Sequence, residues 1–120
     1  MKKILLNTYF GLALIALICI LAQVYFAGVA VFQDYEYWEI HKTFALFKYI
    51  YLVMFIVGLI GRLPKGLTWL SLLIFAIANV QYYTAHGFLA ALHVVIPFLI
   101  FWLNIVVLEK SFKKIKDNNS

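Results

Sequence analysis

The run ILLNTYFGLALIALICILA, from Ile4 to Ala22, decides the fold: it holds no charge and no proline, and it stays apolar on to about Gly28. Only Asn7, Thr8 and Gln23 interrupt it, and none is ionised. At 1.5 Å per residue, ~20 residues of helix cross ~30 Å of hydrocarbon. In lipid each unpaired backbone amide costs several kcal/mol, so such a run is expected to be a helix. Met1-Lys2-Lys3 ahead of it has the look of a signal peptide start. The apolar stretch is too long for an ordinary signal core, and Gly28-Val29-Ala30 is a weak cleavage site, so an uncleaved first span is expected. Cys19 is alone, which excludes a disulfide framework; with bulky Ile18 before it, it reads as a buried, inert thiol rather than a lipid-anchor site.

Outward from that run, three more follow: about His41 to Ile60, Leu67 to Gln81 (brought to length through Thr84), and Phe88 to Leu108. Gly61-Arg62-Leu63-Pro64-Lys65-Gly66 stops one helix and turns the chain into an antiparallel hairpin. Sustained two-residue alternation is missing, which excludes a barrel. The chain is 66% hydrophobic and 12% charged, with a mean hydropathy of +0.96. A small soluble domain has too little interior to hide that much apolar surface. The fold class expected is all-α: a polytopic membrane protein, a four-transmembrane-helix up-down bundle in residues 1–112. Residues 113–120 are expected to form a polar tail that frays into solvent.

The net charge of +5 does not mark a nucleic-acid surface. Lys2, Lys3, Arg62, Lys65, Lys110, Lys113, Lys114 and Lys116, eight of the ten basic residues, gather on one side of the four spans. The other side holds Lys42 and Lys48 with Asp34, Glu36 and Glu39. By the positive-inside rule both termini and the Arg62 loop are cytoplasmic, in the cell membrane, with the lipid bilayer as the first partner. Tyr35, Tyr37, Trp38, Tyr82 and Tyr83 form an aromatic belt at the outer interface, and Trp69 and Trp102 lie nearer the inner one.

All three histidines map to the outer half. His41 opens the second span, and His93 lies about a turn and a half inside the fourth. His86 and His93, seven apart, share a face if the helix is continuous, with Ala90 and Pro97 on the same stripe. A small Ala90 between two histidines leaves room for a flat ligand. The chain also reads as two similar hairpins: Gln23 followed by His41, and Gln81 followed by His93, at spacings of 18 and 12 residues. Such a parallel repeat about the membrane normal brings His41 and His93 to one depth. Two inward imidazoles suit axial ligation of haem b, and neutral imidazole also suits zinc or copper, so His41 and His93 are candidate metal ligands too. An interfacial histidine that caps a helix or bonds a headgroup is the plain alternative.

Lys48 lies seven after His41, on the same face and ~10 Å deeper. It either snorkels outward or pairs with a haem propionate, a quinone oxygen or a lipid phosphate. Gln23 and Gln81 are candidates to orient a ligand histidine, whereas Asn79 and Asn104 read as interhelical hydrogen-bonding groups. Gly11, Gly58 and Ala13 are expected to permit close helix approach. Glu36 and Glu39 are expected to face solvent. No phosphate-binding glycine loop, nucleophile elbow or metalloprotease His-Glu helix occurs, which argues against a nucleotide enzyme and leaves catalytic activity unassigned.

Gln23-Val-Tyr-Phe-Ala-Gly28, His41, Gly61-Arg62-Leu63-Pro64 and Ala91-Leu92-His93 together resemble a family of small bacterial four-helix membrane proteins of unknown function. The resemblance covers nearly the whole chain and implies a fold, not an activity. In outline the architecture is also similar to membrane-bound cytochrome b proteins, but with no histidine in the cytoplasmic half a second haem lacks ligands. Three function classes follow. One is a haem b protein for electron transfer or redox sensing, with quinone or another membrane redox subunit as partner. The second is a cofactor-free accessory subunit, and the third a metal or small-solute carrier using His41, His86 and His93.

Overall fold

The computed structural model describes all of residues 1–120, and every regular element in it is helical. α1 spans Lys2–Phe32, α2 Tyr37–Phe44, α3 Tyr49–Ile60, α4 Lys65–Tyr83 and α5 Ala90–Asn119. A 3₁₀ turn, Ala45–Lys48, joins α2 to α3 as one crossing, and another, Gly87–Leu89, leads into α5. Four passes are therefore long and apolar enough to cross a membrane. α1 packs against α2, α3 and α5, and α4 against α3 and α5, so the passes close into a square. Apolar side chains also cover the outside: Ile18 is 66% and Phe98 73% exposed, as lipid-facing surface requires.

The two ends of the bundle differ. At the end with the termini and the Arg62 turn, the interior is solid, built from Leu6, Tyr9, Ala13, Tyr51, Met54, Leu67 and Val107. Three hydrogen bonds stitch it. Tyr9 Oη donates to the carbonyl of Leu67 at 2.7 Å, and Tyr51 Oη donates to Asn104 Oδ1 at 2.8 Å. Asn104 Nδ2 donates to the carbonyl of Ala13 at 3.1 Å, so one asparagine ties α1, α3 and α5. At Gly58 an added Cβ would lie 2.7 Å from Thr68 Oγ1, which is why α3 and α4 can touch there. Gly11, by contrast, has nothing within 4 Å of a built Cβ, so the close approach expected of it is not made.

The Arg62 turn closes the α3–α4 hairpin by a double hydrogen bond. Leu63 N–H donates to Gly58 O at 3.0 Å and Arg62 N–H to Leu59 O at 3.2 Å. Arg62 takes the left-handed conformation, φ 49°, that this helix ending demands. Pro64 then lacks a donor where the first turn of α4 needs none.

Two boundaries and one burial depart from expectation. α1 runs past Gly28 through apolar Val29, Ala30 and Val31 to Phe32 and ends before polar Gln33-Asp34. Residues 113–120 do not fray: α5 continues to Asn119, with Ile115 packed on the core and Ser111 bonded back to the Val107 carbonyl. Cys19 is half-buried rather than enclosed.

Candidate functional site

At the opposite end the helices part around a cavity of about 1400 Å³. Its first wall is a clasp between α1 and α2. Gln23 Nε2 donates to the main-chain carbonyl of His41 at 2.9 Å, while His41 Nδ1 lies 3.0 Å from the main-chain carbonyl of Gln23. Side chain and backbone of each residue thus hold backbone and side chain of the other. Gln23 Nε2 also sits 3.5 Å from His41 Nε2, and the Trp38 ring stands edge-on to the imidazole at 5.5 Å.

The second wall repeats the clasp between α4 and α5. Gln81 Nε2 donates to the carbonyl of His93 at 2.6 Å, and His93 Nδ1 lies 2.8 Å from the carbonyl of Gln81. Thr84, buried, brings Oγ1 to 3.5 Å from the same nitrogen. Here the clasp has an added cause. Pro97 stands four residues after His93 inside α5 and has no N–H to give the His93 carbonyl. The Gln81 amide supplies the missing donor.

A carbonyl only accepts, so both imidazoles carry a proton on Nδ1, and in the neutral ring Nε2 keeps its lone pair. The two ring centres are 6.3 Å apart with planes at 68°. Gln23 Oε1 and Gln81 Oε1 are buried with no hydrogen-bond partner, a second feature the two clasps share. Both glutamines, both histidines, Lys48 and His86 line the cavity, over an apolar floor that includes Ile20, Ala78, Pro97 and Ile100. Lys48 Nζ donates to Asn79 Oδ1 at 3.0 Å and lies over the rings of Tyr82 and Tyr49 at 5.1 and 5.6 Å.

Not every expected neighbour takes its place. His86 adopts an extended conformation ahead of Gly87, whose φ is +69°, so α5 does not reach it and no helical stripe joins it to His93. It reaches the cavity only as an exposed side chain at the mouth. Ala90 does not line the cavity, so it makes no room beside His93. Glu36 and Glu39 are exposed at the rim, and Glu39 pairs with Lys42 at 2.8 Å. No three His, Cys, Asp or Glu side chains converge anywhere, so a closed zinc shell has no ligand set. Trp38, read from the sequence as a belt residue, and Thr84, read as the end of the third span, were not expected to touch the imidazoles. The tie between Gln81 and His93 had a usable signal, since proline always strands the carbonyl four residues earlier.

Fold and cavity define a small multi-pass membrane protein with an open, mostly apolar chamber at the histidine end, to which the glutamines, the histidines and Lys48 bring polar groups. A family model described as a family of unknown function (DUF6220) matches residues 23–91, more than half of the chain, and the chain belongs to that family. The matched stretch opens on Gln23 and closes two residues before His93. Comparison with curated proteins and with solved structures gives no match, to cytochrome b proteins or to any other.

Proposed function

We propose that the chamber holds one b-type haem, with His41 and His93 as axial ligands, and that the protein serves electron transfer or redox sensing. The observation that carries this is the pair of locked imidazoles. At about 2 Å from metal to nitrogen and about 1 Å from nitrogen to ring centre, two histidines that would hold one metal between them need ring centres about 6 Å apart. The rings stand at 6.3 Å. Each Nδ1–H is tied to a carbonyl, the arrangement that fixes the tautomer and orientation of a ligating histidine. The chamber exceeds the ~300–1,000 Å³ of ordinary small-molecule sites, and its apolar floor suits a flat macrocycle. Haem, when bound, supplies a one-electron couple that quinone or another membrane redox subunit could use.

The competing reading is a cofactor-free accessory subunit. One observation favours it: an edge-to-face pair at 6.3 Å and 68° is also ordinary aromatic packing. Expression with ample haem separates the two. A sharp Soret band and split visible bands on reduction support ligation by two imidazoles; a colourless protein overturns it. Orientation belongs to the same proposal. Eight of ten basic residues on the terminal side support a reading with both termini in the cytoplasm and the chamber outside. Reporter fusions at Ser120 and beside Arg62 should read cytoplasm and one beside Tyr35 outside; an external Ser120 reverses the assignment.

A further inference from the structure

Lys48 is a cation within a membrane pass that has no counter-ion. The chain's one ion pair is Lys42–Glu39, at the exposed rim. Of the three N–H donors of the Lys48 ammonium, Asn79 Oδ1 accepts one. Asn79 is itself pinned, its Nδ2 donating to the Phe75 carbonyl at 2.8 Å, so its oxygen holds the ammonium in the chamber wall. Tyr49 and Tyr82 offer ring faces, which attract a cation without neutralising it. An ionised side chain at such depth is expensive unless it finds a partner charge. His41 and His93 line the same chamber, over an apolar floor.

We infer that Lys48 is the docking point for a carboxylate of the ligand that fills the chamber, placed to neutralise it beside the two histidines. That carboxylate has two sources: a haem propionate, in which case the inference rests on the haem reading, or the head of a fatty acid entering from the bilayer. A carboxylate meets the ammonium in a charge-assisted hydrogen bond, about twice the strength of a neutral one. Removing its charge while leaving the rest of the ligand intact isolates that contact.

The test uses the full-length protein in detergent, with protohaem against its dimethyl ester, and a spin-labelled stearic acid against its methyl ester. Binding is read by Soret titration and by immobilisation of the label. For the ligand that belongs to the site, the acid should bind about tenfold tighter than the ester. That preference should vanish in Lys48→Met and persist in Lys48→Arg. The acid–ester contrast in the unmutated protein decides the matter should Lys48→Met fail to fold. A preference confined to the fatty acid keeps Lys48 as a carboxylate site and removes haem from it. Haem bound equally well as acid and ester, with no fatty-acid preference, overturns the role of Lys48 and leaves His41 and His93 as ligands. A preference unchanged in Lys48→Met likewise overturns it, and binding of none of the four compounds overturns both proposals.

Discussion

The hairpin of α1 and α2 and the hairpin of α4 and α5 make the same contact by different routes. In the first, 18 residues separate Gln23 from His41; in the second, 12 separate Gln81 from His93. The excess is spent above the site, where α1 runs nine residues past Gln23 before it turns, while α4 ends two residues past Gln81. Yet the amide–carbonyl and imidazole–carbonyl distances agree within 0.3 Å, at 2.9 and 2.6 Å and at 3.0 and 2.8 Å. What repeats is a pairing of two residues across two helices, not a length of chain. One difference between the clasps lies at the histidine carbonyl. The His41 carbonyl also accepts from the N–H of Ala45, whereas Pro97 denies the His93 carbonyl the equivalent bond. Gln23 adds a second donor; Gln81 replaces a lost one.

The most damaging changes should be His41→Ala and His93→Ala. If both clasps present ligands to one haem, each variant loses most of the Soret absorbance, and to a similar extent. Retention of haem by one of them shows that the likeness between the hairpins is structural only. Next, Gln81→Leu should destabilise more than Gln23→Leu. A buried carbonyl left without a donor costs about 1–3 kcal/mol, against about 0.6 kcal/mol for an average interhelical hydrogen bond in lipid. Denaturant unfolding in one detergent measures both, and Pro97→Ala should recover part of the Gln81→Leu loss by returning the N–H. Without that recovery the role given to Pro97 is wrong.

Glycine sharpens the contrast further. Gly87, at φ +69°, joins the second hairpin, and Gly87→Ala should cost about 1–2 kcal/mol. Gly28 lies within α1 with open space at its Cβ position, so Gly28→Ala should stabilise by about 0.5–1 kcal/mol. Equal melting shifts would mean that the tight connection is not what sets the second hairpin. The smallest effect should belong to His86→Ala. An exposed side chain at the mouth, with no hydrogen bond, should change stability by less than about 0.5 kcal/mol and leave haem content near its original level. A large loss of haem in this variant would move the ligand pair from His41 to His86.

Hydropathy made the four passes legible, along with the side on which the histidines and Lys48 gather. It reports the thickness of lipid, however, not the length of a helix. Asn119 ends α5 ten residues past Glu109, where the sequence turns polar, while α1 ends at Phe32, just before polar Gln33-Asp34. Nothing local announces the 3₁₀ turn at Ala45–Lys48, which contains neither proline nor glycine. His86 was misplaced because seven-residue spacing means a shared face only where the helix is unbroken, and Gly87 breaks it. The two glutamines were legible as polar groups in apolar runs. Their grip on backbone carbonyls was not, since it depends on which neighbouring helix lies opposite.

Pro97 has a mechanical consequence. A proline is where a helix most readily bends, and beyond it α5 continues to Asn119 as a rod of about 33 Å at 1.5 Å per residue. A tilt of about ten degrees at such a pivot sweeps the far tip through about 6 Å, carrying Lys110, Lys113, Lys114 and Lys116 with it. The amide of Gln81, reaching in from α4 to the carbonyl four residues before Pro97, ties α4 to α5 on the short side of that point.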